Sequence, residues 1–167
     1  RNMIIDEDIV AGGVTPFIIT KLIERHERER QRYRLLHDSY MGDHRILNRR
    51  KRGKNVANNR IMCNHAKYIT DMTQSYLVGN PVTYAVSDDY DIEAIKNAYL
   101  EQDIPSVDSE IVKNMSIYGR AYELIYADEN SKPRSVRLDP EHTFVCYSQS
   151  AFEKPLFAVY YYKKYDL

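Results

Sequence analysis

The residues whose types could do chemistry are concentrated in one polar stretch of this sequence, between positions 37 and 60. Two His/Asp dipeptides, His37-Asp38 and Asp43-His44, lie close enough along the chain to share a cation, although such pairs in a polar loop are usually surface residues. Gly53-Lys54 resembles part of a phosphate-binding loop. That motif needs Gly at position 48 and Ser or Thr at 55, where this chain has Asn48 and Asn55. The stretch therefore contains no phosphate-cradling loop.

Signatures of other enzyme classes are also missing. The sequence has no GxSxG, HExxH or GxGxxG motif, and no His stands at zinc-ligand spacing from Cys63 or Cys146. Two cysteines without a CxxC pair exclude a disulfide framework and favour a reducing cytoplasm. We predict that the chain is not an enzyme, with no catalytic residue, no metal site and no cofactor.

The most distinctive chemical feature is positive charge in residues 45–60, which we call the basic segment. Its seven cations occur without a single acid: Arg45, Arg49, Arg50, Lys51, Arg52, Lys54 and Arg60. A basic loop can neutralise phosphates in any nucleic-acid sequence, but no aromatic residue is interleaved here to stack on bases. A solvated loop, a DNA contact and a contact with a neighbouring subunit are all compatible with this composition.

Charge is sorted along the whole chain although its sum is zero. Residues 21–60 hold 13 Lys and Arg against 5 Asp and Glu, a net +8; residues 61–167 hold 10 against 16, a net −6. The basic stretch 21–60 and the acidic stretch 61–167 would attract each other between two copies arranged head to tail. The same charge division would bring a polyanion to the basic side only.

Several helices are expected to position this segment. Thr15-Pro16 predicts the start of a helix over about 16–40, with an inward stripe of Leu22, His26, Glu29, Tyr33, Leu36 and Tyr40. Residues 24–34 are expected to be solvated and stabilised by ion pairs such as Glu24 with Arg28 and Arg25 with Glu29, unless this stretch packs on a neighbouring subunit. Residues 40–59 read as a loop or irregular hairpin, because turn formers dominate and periodicity vanishes.

The stretch 58–84 predicts a helix, its end and a strand. A core stripe is expected at Met62, Ala66, Ile69, Thr73, Tyr76 and Leu77. Gly79 would end the helix in the left-handed conformation, with Pro81 following, and the alternation over Val82–Val86 indicates a half-buried strand. A third helix would begin near Ser87–Asp89 with Ile92, Ile95, Ala98 and Tyr99 on its apolar face.

The remaining elements are a fourth helix and a β-rich end. A break around Asp103–Ser106, which contains Pro105, starts a helix that ends at Gly119. One face of this helix carries Val107, Ile111, Met115 and Tyr118. Strands are predicted at 120–126, 133–138, 143–147 and 156–162, the first two joined by the turn-rich 128–132. The fold class is therefore α+β: several amphipathic helices followed by a mainly antiparallel β-sheet.

At 167 residues, with 43% hydrophobic and 29% charged residues, the chain fits one α+β domain over 1–167. We expect a basic helical arm and loop in 1–60 and an α+β body in 61–167. Its longest apolar-leaning run, Ile9–Ile19, is too short and too interrupted to span a membrane. The 15 Tyr and absence of Trp suit either half-buried sheet faces or subunit interfaces.

Four stretches in order resemble portal proteins of tailed bacteriophages, the head-to-tail connectors of siphophages that infect Gram-positive bacteria. They are YMGDHRILNRR at 40–50, NNRIMCNHAKYITDMTQSYLVGNPVTY at 58–84, IYGRAYELIYADENSKPRSVRLDPEHTFVCY at 117–147 and EKPLFAVYYY at 153–162. The likeness covers most of residues 33–165. Ordered blocks of this kind are more specific than any single motif.

The resemblance implies a structural subunit of a ring, usually of twelve copies, at one vertex of the capsid. Such rings pass DNA during packaging and ejection and bind terminase, scaffold or capsid, and head-completion proteins. The chain would be the N-terminal, wing-like part of a longer protein, without stem and clip, found in the virion after assembly in the host cytoplasm. Alternatively, it would be a nucleic-acid-binding module acting through the basic segment.

Overall fold

The structure of the protein is a computed structural model that describes residues 3–50, 53, 55–87 and 90–164. The chain divides into two compact units: residues 1–34 with 138–167, and residues 35–137. The helices are α1 (Asp8–Ala11), α2 (Pro16–Met41), α3 (His65–Val78), α4 (Glu93–Glu101) and α5 (Ile104–Tyr118). The strands are β1 (Met3–Ile5), β2 (Tyr122–Ala127), β3 (Pro133–Leu138), β4 (Thr143–Ser148) and β5 (Pro155–Tyr160).

These elements confirm the α+β class. The division of a single domain into a basic arm in 1–60 and an α+β body in 61–167 stays a prediction. Among the described residues, every α-helix except α1 was predicted, and so were the last four strands, with bounds that differ by a few residues. Strand β1 and helix α1 were not predicted, because three- and four-residue elements are too short to show a period.

The first unit is built on a three-stranded sheet in the order β1-β4-β5. Strand β1 pairs with β4 in parallel, and β4 pairs with β5 antiparallel with a bulge at Cys146/Tyr147. Its core contains Met3, Ile5, Leu22, Phe144 and Cys146, each at most 7% exposed. Only the antiparallel pairing was expected from the sequence.

Helix α2 begins where Thr15-Pro16 predicted. The Thr15 hydroxyl accepts a hydrogen bond from Ile18 N at 3.4 Å. Four members of the expected stripe are buried, namely Leu22, His26, Tyr33 and Tyr40. The ion pairs along α2 differ from those predicted: they join Lys21 to Glu24, Arg30 to Glu27, and Arg32 to Glu29, each pair three residues apart.

The second unit contains the helix pair α3·α5, helix α4 and the two-stranded sheet β2-β3. Both ends of α5 follow the prediction. Asp103 adopts a left-handed conformation before it, and Gly119, with φ of 71°, closes it. Glu93 N donates to Asp91 Oδ1 at the start of α4, while Asp88 and Asp89 of the predicted cap lie outside the described residues.

Three predictions for the stretch 58–84 were wrong. The expected core stripe of α3 is largely exposed, with Ile69 60%, Tyr76 89% and Leu77 59% accessible, because α5 packs on a different face of the helix. Gly79 has φ of −64° and ψ of −26°, so α3 ends right-handed. Residues 82–86 form no strand and belong to neither of the sheets that the structure describes.

Among the described residues, no helix has both the length and the apolar character that crossing a membrane requires.

Candidate interface in the basic segment

The basic segment follows a helix end that is fixed by Gly42. This glycine has φ of 87°, and Asp43 N donates to the carbonyl oxygen of Asp38 at 2.8 Å, which closes α2. A Cβ added to Gly42 would lie 3.1 Å from Asn64 Nδ2 and from Met62 Cε. The left-handed backbone conformation therefore favours glycine at this position, and an added Cβ would also crowd the ends of the Asn64 and Met62 side chains.

Asn64 ties the far end of the loop back to α2. Its Nδ2 donates to the carbonyl oxygen of Tyr40 at 2.8 Å, and its Oδ1 accepts from Lys67 N at 3.0 Å as the N-cap of α3. One side chain thus joins the start of α3 to the end of α2 and sets the distance that residues 42–63 must bridge.

The first part of the segment is a tight turn held by Arg60. Leu47 N donates to His44 O at 2.9 Å, and Asn48 N donates to Arg45 O at 3.2 Å. The Arg60 guanidinium is partly buried, and its Nη1 donates to the carbonyl oxygen of Leu47 at 2.9 Å. Arg60, predicted as a contact residue, therefore positions the turn rather than extending freely into solvent.

Three of the predicted contact residues are exposed cations. Arg45, Arg49 and Arg50 are solvent-accessible, and none forms an ion pair with any part of the chain that the structure describes. Lys51, Arg52 and Lys54 lie outside the described residues. Exposed guanidinium groups can bind carboxylate or phosphate oxygens through two parallel hydrogen bonds.

A cleft of about 680 Å³ lies beside the turn, and its charge is mixed. It is lined by Leu35, Asp38, Ser39, Asp43, His44, Arg45, Ile46, Asn48, Ile61, Met62 and Cys63. The carboxylates of Asp38 and Asp43, which line the cleft with Arg45, make it a poor site for a phosphate because like charges repel. The surface available to an anion is therefore the exposed side of Arg45, Arg49 and Arg50.

The two His/Asp dipeptides do not converge on a cation. His37 stacks on Tyr118 with ring centroids 6.5 Å apart, whereas His44 lines the cleft with its buried Nε2 lacking a hydrogen-bond partner among the described residues. No group of three His, Cys, Asp or Glu side chains in the described part is arranged to hold a metal ion.

The two cysteines have different environments. Cys63 is exposed at the cleft, while Cys146 is 0% exposed in the core of the first unit. Burial raises the pKa of the Cys146 thiol to about 11, so this thiol is protonated and unreactive at neutral pH.

Comparison with known proteins gives consistent matches. The model of the family described as phage portal protein, SPP1 Gp6-like, matches residues 19–166. The portal protein of Bacillus phage SPP1 is 33% identical over 105 residues, which are 63% of this chain and 21% of that protein. The chain thus spans about a fifth of the length of this relative. The family match contains the whole basic segment and all helices from α3 onward.

Proposed function

The chain belongs to the family of phage portal proteins of the SPP1 Gp6-like type, and from this premise we propose that it forms part of the portal ring at one vertex of the phage head. In this role it is a structural subunit of the conduit through which DNA is packaged and ejected. The observation that carries the proposal is the family match over residues 19–166, nearly the whole chain.

The proposal extends to the complete protein and its surroundings. Its ring is expected to contain twelve copies and to meet terminase, scaffold or capsid, and head-completion proteins. The ring is assembled in the host cytoplasm and retained in the virion, where phage DNA passes through its channel.

Within the ring, the basic segment binds carboxylates of a neighbouring copy. A closed ring needs two different complementary faces on each subunit, and the sorted charge of +8 in residues 21–60 and −6 in residues 61–167 supports such a pair. Arg45, Arg49 and Arg50 are exposed and without ion pairs in the described part of the chain, so they are available for this contact. The comparisons lend no support to the alternative of a separate nucleic-acid-binding module.

The test is ring formation by the complete protein, measured by native mass spectrometry at about 50 mM salt, where charge interactions are only weakly screened. We expect the wild type to form closed rings. The double reversal Arg49→Glu and Arg50→Glu should shift mass from rings to free subunits, because two cations of the contact become anions. The matched control, Lys163→Glu and Lys164→Glu, reverses an adjacent exposed pair outside the basic segment and should leave the rings intact.

The two parts of the proposal fail separately. A complete protein that forms no closed ring would contradict the portal role. Rings that persist in the Arg49→Glu, Arg50→Glu variant would leave the portal role standing and remove the basic segment from the contact. A DNA contact would instead show as duplex affinity whose logarithm falls with the logarithm of salt concentration at about −0.9 per phosphate.

A further inference from the structure

Helix α3 carries an apolar stripe that no described part of the chain covers. Tyr68, Ile69, Met72 and Tyr76 are 64%, 60%, 56% and 89% exposed. With 3.6 residues per turn, these four positions fall within an arc of about 100° on one side of the helix. We call this surface the α3 face.

The opposite side of α3 packs on α5 through polar groups. Thr70 is 4% exposed, and its hydroxyl oxygen accepts a hydrogen bond from Ser116 Oγ at 3.2 Å. Gln74 Nε2 donates to Ser109 Oγ at 2.7 Å and to the Ser109 carbonyl oxygen at 3.2 Å. A surface helix normally buries its apolar side and exposes its polar side, and α3 does the reverse. This inversion leaves the apolar side of α3 without a covering surface among the described residues.

The size and composition of the α3 face match the centre of a subunit interface. A fully covered aromatic side chain buries about 150–250 Å², so Tyr68 and Tyr76 together present on the order of 300 Å². Ile69 and Met72 add to this area, and a stable interface buries about 800 Å² on each partner. Tyr and Met are enriched in interface centres, from which charged residues are depleted, as they are here.

A second uncovered apolar surface lies elsewhere in the same unit. This groove of about 380 Å³ is lined by Pro81, Val82, Thr83, Tyr84, Lys96, Tyr99, Leu100, Ile104, Pro105 and Asp108. Leu100 is 74% exposed and Val82 53%. The groove is bounded by α5 itself, whereas the α3 face points away from α5. Tyr76 is 89% exposed and therefore does not fill the groove of its own chain.

We propose that the α3 face binds a second copy of this chain, with Tyr76 inserted into the groove of that copy. The inference rests on the proposed function in that it names the surfaces through which portal subunits meet. One contact of this kind covers the α3 face of one copy and the groove of the other. Because the two surfaces differ, the first copy keeps a free groove and the second keeps a free α3 face for further copies. Lys96 and Asp108 at the groove supply a donor and an acceptor for the Tyr76 hydroxyl.

Cross-linking between differently tagged chains tests the pairing. Cys63→Ser removes the exposed native thiol, and the buried Cys146 does not react. Chains with Tyr76→Cys are mixed with chains carrying Leu100→Cys and treated with a short bismaleimide. We expect dimers that carry both tags, in higher yield than from the control pair Phe152→Cys with Leu100→Cys, since Phe152 is 94% exposed but lies outside the α3 face.

Equal yields from the two pairs would overturn the proposal. So would a predominance of dimers between two Tyr76→Cys chains, because such a product requires the α3 face to bind another α3 face rather than a groove.

Self-association provides a second measurement. In sedimentation velocity, Tyr76→Gln should raise the dissociation constant of the 167-residue chain by about thirtyfold or more, as for an aromatic interface anchor. Phe152→Gln should change it by less than about threefold. The helical content of Tyr76→Gln, measured by circular dichroism, should equal that of the wild type because the Tyr76 side chain is almost entirely exposed.

A wild-type chain that stays monomeric up to about 1 mM, or a Tyr76→Gln variant that associates like the wild type, would overturn the proposal. Neither outcome affects the portal role itself, which is judged by ring formation in the complete protein.

Discussion

At the scale of single residues, His26 is a buried ionisable side chain in the first unit. It is 3% exposed on the inner side of α2, with its ring centroid 4.9 Å from that of Phe144. Its Nδ1 and the Tyr161 hydroxyl are joined by a hydrogen bond of 3.1 Å. Burial lowers the pKa of His26 below its ordinary value of 6.5, and the nearby Glu29 carboxylate offsets only part of that effect.

This environment predicts acid sensitivity of the first unit. Below pH 6.5 the unfolded chain binds a proton at His26 more readily than the folded chain does, because the folded pKa is lowered. The stability that neutral His26 allows is therefore fully present above pH 6.5 and is lost as the pH falls towards the folded pKa. We expect the urea midpoint, followed by circular dichroism, to drop between about pH 7.5 and about pH 5.5. The urea midpoint of the His26→Gln variant should drop less over this pH interval, because glutamine does not titrate.

The exposed His65 supplies the control, since His65→Gln should retain the acid sensitivity of the wild type. An equal drop in the wild type and His26→Gln would show that other groups cause the effect.

At the scale of elements, the glycine that ends α5 allows a matched test. Gly119 has φ of 71°, and an added Cβ would meet no atom within 4 Å, so Gly119→Ala changes only the backbone preference. A left-handed conformation costs a non-glycine residue about 1–2 kcal/mol, and the free energy of unfolding in urea should fall by roughly that amount. Gly12 also has open space around it but a φ of −81°, so Gly12→Ala should cost nothing. Equal effects of the two substitutions would refute the assigned role of the φ angle.

The elements that were predictable carry their signals locally. The start of α2 at Thr15-Pro16 and the end of α5 at Gly119 depend on backbone preferences of adjacent residues, and both were predicted. The periodicity of α3 shows that an apolar face exists, but not which surface covers it, and the stripe expected in the core is exposed. The alternation over Val82–Val86 wrongly predicted a strand, because a strand also needs a partner strand, which a local pattern does not reveal.

The candidate interface was predictable in composition but not in arrangement. The run of cations is visible in the sequence, whereas the hydrogen bond from Arg60 to the Leu47 carbonyl depends on how residues 44–49 turn. The groove is formed by residues 81–84 together with α4 and the start of α5, which no short pattern connects. Parallel pairing of β1 with β4 likewise joins residues about 140 positions apart.

At the scale of the whole molecule, the two units differ in how much they bury. In the first unit, Tyr33, Phe144, Cys146 and Ser148 are at most 2% exposed. In the second, the helix pair α3·α5 buries Thr70, Asn114 and Tyr118, while much of its apolar surface faces solvent. Hydrophobic stabilisation grows with the apolar area removed from water, so the second unit gains less of it within a single chain.

Hydrogen exchange measured by mass spectrometry should reveal this difference. In dilute solution, amides of β4 are expected to exchange more slowly than amides of α3, because local opening of α3 exposes little additional apolar surface. Raising the protein concentration should slow exchange in α3 and along the groove, while the β4–β5 loop around Phe152 serves as the internal control and stays unchanged. Protection of α3 equal to that of β4 in dilute monomer would mean that the second unit is stable without a neighbour. In that case the exposed apolar surface of α3 would not be needed to complete the fold.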